Sequence, residues 1–337
     1  MTSQASTPFE AGTFTRIYDP SVGETEQWYI NDHCFALGPD GVWHMFGITH
    51  AEPLNPMDEK CLAHACSASL AQTPWRKLPF ALTADREHWD EFHLWAPFIV
   101  RHEGAYYMFV CVGDEDHRTY KIHLAVSEDL YSWTRHPTNP MVVDGFDARD
   151  PCVLRVRDRW IMYYTATSRP DGGNHIVAYR LSDDLVHWGE RQVAFVDNET
   201  GAFGGCTESP FVLRRGASYY LFICNNDRKG GYDATDVYRS RDPFRWSLSD
   251  KVGTIPAHAS EVLHDKDGKW YVSHCGWGRG GLYLAPLAWH DGEDENECIY
   301  TPPVGIQASE GVFRMRHQSK IENLKSKIRN DTERVGS

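Results

Sequence analysis

The chain has 337 residues, 13% of them aromatic and 12 of them Trp, with a formal net charge of −13 and a pI near 5.7. No block of basic residues stands out, which argues against nucleic acid and anionic membrane as partners and for a neutral ligand or none. No apolar run approaches the 18 residues of a membrane span, and residues 1 to 12 lack the charged and apolar regions of a secretory leader, so a cytoplasmic location is expected.

Taken in chain order, residues 8 to 30 lead into the first repeat and are expected to supply a strand that closes a ring with the C-terminal end. An aromatic β-rich run then recurs as Trp43-His44-Met45-Phe46, Tyr106-Tyr107-Met108-Phe109, Trp160-Ile161-Met162-Tyr163, Tyr219-Tyr220-Leu221-Phe222 and Trp270-Tyr271-Val272-Ser273. A closing signature, a Ser six residues before a Trp, recurs at Ser69, Ser127, Ser182 and Ser240, spaced 58, 55 and 58 residues apart, with a degenerate fifth copy at Ala285 to Trp289. The copy from Phe146 to Trp188 shows the unit whole: short β-rich runs separated by a charged turn at Arg155 to Arg159 and a glycine turn at Asp171-Gly172-Gly173. Such a meander cannot bury both faces alone. Five copies at this period predict an all-β fold, a five-bladed β-propeller with four-stranded antiparallel blades, spanning residues 1–316.

Residues 50 to 62 read as a long connection inside blade one, residues 76 to 94 as the link between blades one and two, and Asn198 to Gly205 as the approach to blade four. Residues 317–337 turn polar and read as a helical or disordered tail. Of the nine Cys, Cys111, Cys224 and Cys275 hold matching positions in three repeats; equivalent positions in different blades are far apart, so these read as buried, unpaired thiols. No Cys-x-x-Cys occurs, which removes a zinc-ribbon reading.

The repeat also serves as a ruler. Twelve residues before the second residue of each aromatic run stand Asp32, Trp95, Arg149 with Asp150 beside it, Glu208 and Ala259. These positions open the first strand of each blade, and first strands line the channel of a propeller. Three carboxylates, Asp32, Asp150 and Glu208, are therefore expected to converge at one end of the axis. Gathering acids in a confined setting costs free energy, because like charges repel and burial disfavours the ionised form. Any one Asp at a strand start is more often a turn cap. Glu208 has no such use, and three acids in phase point to chemistry in which one carboxyl donates a proton while another stays ionised, as in glycoside hydrolysis.

Asn31-Asp32, Arg149-Asp150-Pro151 and Thr207-Glu208-Ser209-Pro210 resemble the three acid motifs of the five-bladed propeller glycosidases: glycoside hydrolase family 43, with its arabinofuranosidases and β-xylosidases, and the fructan-cleaving families 32 and 68. The resemblance spans about residues 28 to 290. It implies that Asp32 is the catalytic base or nucleophile, that Asp150 orients the general acid and holds sugar hydroxyls, and that Glu208 is the general acid. The invertase-like enzymes usually show Asn-Asp-Pro-Asn-Gly at the first acid and Glu-Cys at the third, where this chain has Asn31-Asp32-His33-Cys34 and Glu208-Ser209. The 48 residues after Trp289 also leave no room for the β-sandwich of family 32. Both departures favour the family 43 side; Arg149-Asp150-Pro151 is the form typical of the fructosidases. The resulting expectation is an inverting glycosidase acting on terminal arabinofuranosyl or xylosyl units of an oligosaccharide or small glycoside. The alternatives are a retaining β-fructofuranosidase or fructosyltransferase, and a non-catalytic carbohydrate-binding propeller.

Secondary candidates follow from position. Trp95 occupies the channel position of blade two, where its face could stack on a sugar. Arg149 adjoins the second acid as a substrate-binding residue. His258 resembles the His near the propeller axis that in some relatives helps hold a calcium ion or a water cluster; no other cofactor is expected. Glu261 lies close to it. His50, Asn225, Trp277 and Arg279 follow second or third strands and could reach the pocket rim, Arg279 as a clamp on sugar hydroxyls in the turn Gly276 to Gly281.

Overall fold

The computed structural model describes residues 7–293 and 298–299, apart from 116–118, 146 and 227–230. The chain divides into two units, Met1–Pro303 and Val304–Ser337, and every described residue belongs to the first. The expected domain limit at 316 and the expected tail 317–337 lie outside the described residues.

Five antiparallel sheets follow one another as blades. Blade one runs Trp28–Leu37, Trp43–Ala51, Cys61–Ser67 and Arg76–Thr83. Blade two runs His93–His102, Ala105–Gly113 and Tyr120–Ser127, its outer edge split into Thr134–Arg135 and Val142–Val143. Blade three holds Ala148–Val156, Arg159–Arg169, Gly172–Ser182 and Gln192–Gly201, and blade four Glu208–Arg215, Ser218–Cys224, Thr235–Ser240 and Lys251–Ile255. The short strand Cys298–Ile299 pairs with Arg214 and Arg215 on the inner strand of blade four. The innermost strands of blades one to four pack side by side, and aromatic and aliphatic side chains fill the space between blades in continuous clusters.

Blade five is shared between the two ends of the chain. Val262–His264, Trp270–His274 and Leu282–Trp289 come from the C-terminal side, and Phe9–Ala11 and Thr15–Tyr18 both pair with Leu282–Trp289. The N-terminal segment thus closes the ring, as its position in the sequence suggests. Closure removes the exposed sheet edge that an open array of blades would carry.

The Ser…Trp signature is a turn device. In blades two and three the Ser127 and Ser182 hydroxyls each accept the amide of the Leu three residues on, at 2.9 Å, while that Leu adopts a left-handed backbone. Asp129 and Asp184 accept two further amides apiece. Two connections expected from the sequence are strands. Arg76–Thr83 is the outer strand of blade one, and Asn198 to Gly201 complete the outer strand of blade three. Outer strands are half solvated, carry charges and, in blade one, Pro79, so their alternation is weak. Cys111, Cys224 and Cys275 are buried free thiols.

The closure strand gives a direct test. Phe9 is buried, meets Trp289 edge-on at 6.0 Å between ring centroids, and lies against Gly253 of blade four. Phe9→Ala is expected to cost about 3–5 kcal/mol. This is read as a lower urea midpoint with an unchanged slope; an unchanged midpoint contradicts the closing role.

Candidate active site

Each inner strand of blades one to four breaks its ladder at the same level, where two of its residues oppose one on the second strand. The pairs Ile30↔Thr49 and His33↔Gly47, Trp95↔Cys111 and Phe98↔Phe109, Arg149↔Thr165 and Cys152↔Tyr163, Glu208↔Cys224 and Phe211↔Phe222 flank the four bulges. The first bulged residue has a positive φ in three of them: Ala96 at 38°, Asp150 at 54° and Ser209 at 49°, with Ala259 at 47° in the matching stretch of blade five. Non-glycine residues in this region are strained, and bulges of this kind re-aim side chains. Proline follows in all three, at Pro97, Pro151 and Pro210; with no N–H to pair, it suits a broken ladder.

The bulges gather a cavity lined by residues of all five blades, including Asp32, Pro97, Asp150, Pro210, Ser260 and Glu261. The three acids occupy three successive levels of the repeat: Glu208 just before its bulge, Asp150 first within it, Asp32 second. The twelve-residue ruler brings them together but equates positions that differ, because the inner turns of blades one and five span five residues (38–42, 265–269) and the others two.

One cation joins the acids. Arg149 is buried; its Nε donates to Asp147 Oδ1 at 2.6 Å, Nη1 approaches Asp150 Oδ2 at 3.4 Å, and Nη2 donates to Glu208 Oε1 at 3.0 Å. Its guanidinium lies over the Phe203 ring, 4.5 Å from the centroid. Ser209 serves two acids, its backbone N–H donating to Asp150 Oδ2 at 3.0 Å and its hydroxyl to Asp32 Oδ1 at 2.5 Å. Asn226 Nδ2 donates to Glu208 Oε2. Asp150 Oδ1 is buried with no hydrogen-bond partner among the described residues, which leaves it open to a ligand hydroxyl.

Burial dominates the electrostatics. It pushes the Glu208 carboxyl up to about 8; Arg149 pulls against that, and Asp150 and Asp32 add to it. Asp32 is raised by burial and by the Asp150 charge, with the Ser209 hydroxyl and Arg149 opposing. Asp147 is raised to about 6 by burial despite its bond to Arg149. Glu208 is also the most open of the Arg149 partners, with 16% of its side chain reaching solvent against 4% for Asp150. Glu208 thus combines a raised titration with partial contact with solvent.

A second cluster lies beside the first. Glu59, in the loop between the second and third strands of blade one, is buried and accepts from Tyr29 Oη at 2.7 Å and from Trp277 Nε1 at 3.1 Å, both at Oε1, with Trp95 beside it. Trp277 stacks on Tyr232 at 5.1 Å, and Tyr232 on His258 at 3.6 Å. The Tyr232 hydroxyl donates to Asn31 Oδ1 at 2.8 Å, next to Asp32.

The secondary candidates divide accordingly. Trp95, Arg149 and Trp277 belong to these clusters. Trp95 stacks on Tyr120 at 4.9 Å and packs against His93 at 4.6 Å between ring centroids, so its ring is fixed from two sides. Asn225 bonds Asp236 at 2.8 Å, and the place beside Glu208 falls to Asn226; one residue changes the face of the chain at a strand end. Arg279 pairs with exposed Asp233 and shows no contact with the acids. His50 turns to the Ala51 carbonyl and packs near Trp28 and Tyr29. His258 holds the Tyr232 carbonyl at 2.9 Å, and burial pushes its ring down to about 3. Calcium takes six to eight oxygens; Tyr232, His274 and Cys275 around this ring offer no such cage, and no cluster among the described residues suits a metal ion. The expected calcium therefore finds no support at His258. Glu261 lines the axial cavity, and burial raises it well above the carboxylate range.

Asp147, Ser209, Asn226, Glu59 and Tyr232 were not singled out by the sequence. Asp147 stands two residues before Arg149, the spacing that shares a strand face, and Ser209-Pro210 aligns with Ala96-Pro97 and Asp150-Pro151; both signals are readable. Glu59 and Tyr232 sit in loops with no repeat to align them.

Fold and site together define a five-bladed propeller with a carboxylate cluster at its axis. The sequence profile of glycosyl hydrolases family 43 matches residues 64–261, more than half of the chain, and the chain belongs to that family. It is 28% identical over 153 residues to an extracellular exo-α-(1→5)-L-arabinofuranosidase of Cellvibrio japonicus, a match covering 39% of this chain and 42% of that protein. It is also 28% identical over 191 residues to a probable sucrose-6-phosphate hydrolase of Psychromonas ingrahamii, covering 55% and 34%. The chain thus spans less than half the length of either relative. Among solved structures, a family 43 β-xylosidase/α-arabinofuranosidase from a compost metagenome, in complex with xylotriose and free of calcium, superposes with a TM-score of 0.60 at 16% identity, over 83% of this chain and 94% of that one. At this identity the likeness concerns the fold. No helix among the described residues is long and apolar enough to cross a membrane.

The Arg149 cluster predicts a sign. Arg149 favours ionised Glu208, so Arg149→Gln should raise the Glu208 titration midpoint above the value of about 8. Carboxyl ¹³C NMR of δ-labelled glutamate reads this; a downward move refutes the arrangement.

Proposed function

We propose that the protein is a glycoside hydrolase that removes terminal arabinofuranosyl or xylosyl units with inversion. The observation that carries the reading is the meeting of Asp32, Asp150 and Glu208 at and beside the bulges of three inner strands, tied by Arg149 and Ser209. Membership of family 43 supports it, as does the match to the arabinofuranosidase.

In this mechanism Glu208, protonated, gives its proton to the glycosidic oxygen as the bond from that oxygen to the anomeric carbon breaks. Asp32, ionised, takes a proton from a water on the opposite face of the ring, and the water oxygen bonds to the anomeric carbon. The net change is one water added across the glycosidic bond, with the proton on Asp32 returned to Glu208 through solvent. Asp150 accepts a sugar hydroxyl through its unpartnered Oδ1 while Oδ2 rests on Ser209 and Arg149. Arg149 holds Glu208 in place through Oε1 and limits how far burial raises it. The net charge of −13 suits a neutral substrate.

A second reading has its own support. Arg149-Asp150-Pro151 and the match to the probable sucrose-6-phosphate hydrolase favour a retaining β-fructofuranosidase in which Asp32 attacks the anomeric carbon directly. Ser209 in place of Cys after the third acid, and His33-Cys34 after the first, favour the inverting reading.

Glu208→Gln should lose activity on alkyl or sugar leaving groups at least about 100-fold more than on 4-nitrophenyl glycosides, since a group that departs unaided needs no proton. Equal losses on both would remove Glu208 from the acid role. Proton NMR of the first sugar released, recorded before mutarotation, should show the inverted anomer. A retained anomer, or rapid release of fructose from sucrose, would establish the second reading in its place.

A further inference from the structure

We infer that Glu59 is a positioning residue: its buried carboxylate holds Tyr29, Trp95 and Trp277 as one aromatic wall beside Asp32, and this wall seats the sugar ring. The inference rests on the glycosidase reading for the sugar, and on geometry alone for the wall.

Glu59 comes from a loop, yet it is 1% exposed and lies in none of the roles assigned to the three acids. The rings that converge on it come from three blades: Tyr29 from the inner strand of blade one and Trp277 from the turn after the second strand of blade five donate to its Oε1, and Trp95 from the inner strand of blade two lies beside it. Its own backbone is fixed as well, since its carbonyl accepts Leu94 N–H at 2.9 Å, beside Trp95. Glu52, at the other end of the loop, accepts Gly278 N–H at 3.3 Å and so ties the loop to the turn that carries Trp277. Gly276 adopts a φ of 135°, and a Cβ there would stand 2.6 Å from the Tyr232 ring, so this turn closes on Tyr232 only as glycine.

The contacts then run inward. Trp277 stacks on Tyr232, whose hydroxyl holds Asn31, and Asn31 precedes Asp32 within the same bulge. Glu59 thus reaches the site chiefly through the half-buried Trp277 ring, with Tyr29 and Trp95 packed behind it. Aromatic faces suit the apolar face of a sugar, and N–H and O–H groups fixed by a charged acceptor lose little freedom when a ligand binds. Tyr29 and Trp277 share Oε1, and a Gln amide replaces the other carboxylate oxygen with an NH2 that accepts nothing and presents two N–H groups to the rings around it. Burial raises Glu59 to about 7, with its bonds to Tyr29 and Trp277 opposing; the neighbouring charge that bears on it is Asp32.

The test uses Glu59→Gln, Trp277→Phe and the double variant in full-length protein labelled with 5-fluorotryptophan. In Glu59→Gln the ¹⁹F resonances of Trp95 and Trp277, assigned by Trp→Phe replacement, should shift, while those of Trp43 and Trp246 stay. KM for 4-nitrophenyl α-L-arabinofuranoside or β-D-xyloside should rise about tenfold, equivalent to about 1.4 kcal/mol, with kcat within about threefold. Trp277→Phe keeps the ring and loses the N–H; it should reproduce part of the KM rise, and the double variant should be no worse than Glu59→Gln. Unmoved Trp95 and Trp277 resonances overturn the inference, as do KM losses that multiply in the double variant or a fall in kcat that matches the rise in KM. If the wild type cleaves neither glycoside, the glycosidase reading falls while the ¹⁹F shifts still decide whether Glu59 holds the wall.

Discussion

An inner strand that carries one residue too many is the constraint on which the site depends. The extra residue sits at the same level in blades one to four, and where the pattern is most regular it reads X-Pro with a left-handed X. A regular strand would send alternate side chains to opposite faces and place only one residue per blade at a given level toward the axis. The bulge breaks that alternation. It lets the blades present residues from three successive positions, Glu208, Asp150 and Asp32, to one small volume. The strain of each left-handed residue is of order 1–3 kcal/mol, and it persists because the flanking ladder over-determines it.

Gathering acids then creates an electrostatic problem that Arg149 addresses. Asp147, Asp150 and Glu208 all reach one guanidinium, and Asp32 is held by the Ser209 hydroxyl without a direct cation among its contacts. One positive charge cannot balance four carboxylates in a buried setting, so the cluster retains protons. Glu208 and Asp32 both rise in spite of Arg149, and Glu208 is the Arg149 partner with the most side chain in solvent. Carboxyls that keep protons near neutral pH thus arise from this imbalance. The opposite arrangement, a cation for every acid, would leave nothing to donate.

How much of this was legible in the sequence depended on the period. The aromatic runs and the Ser…Trp turns recur because every blade needs the same buried second strand and the same turn, so the fold, its blade count and its N-terminal closure could be read. The acid trio could be read because it rides on that repeat, although turn lengths in blades one and five blurred its levels. The prolines at 97, 151 and 210 would have sharpened them. Outer strands were misread as connections because their solvated, charged faces carry no strong alternation. Asn225 was chosen in place of Asn226 because a strand end does not announce which face its last residues take. Glu59 lay beyond any periodic argument: its partners are 30, 36 and 218 residues distant in sequence, and only closure of the ring brings blades one, two and five to it.

The two clusters divide the labour around the axis. Blades three and four supply Asp147, Arg149, Asp150 and Glu208, the charges that move or hold protons. Blades one, two and five supply Tyr29, Glu59, Trp95 and Trp277, the rings and the carboxylate that fixes them. Asp32 belongs to blade one but is bonded to Ser209 of blade four and is supported, through Asn31, by Tyr232 of the same blade. It is the point where the halves meet. A substrate between them would present its reacting bond to the charged side and its ring to the aromatic side. On the proposed reading the aromatic half sets the sugar and the charged half the reaction; the family match over residues 64–261 covers Arg149, Asp150, Glu208 and Trp95 but not Tyr29, Glu59 or Trp277.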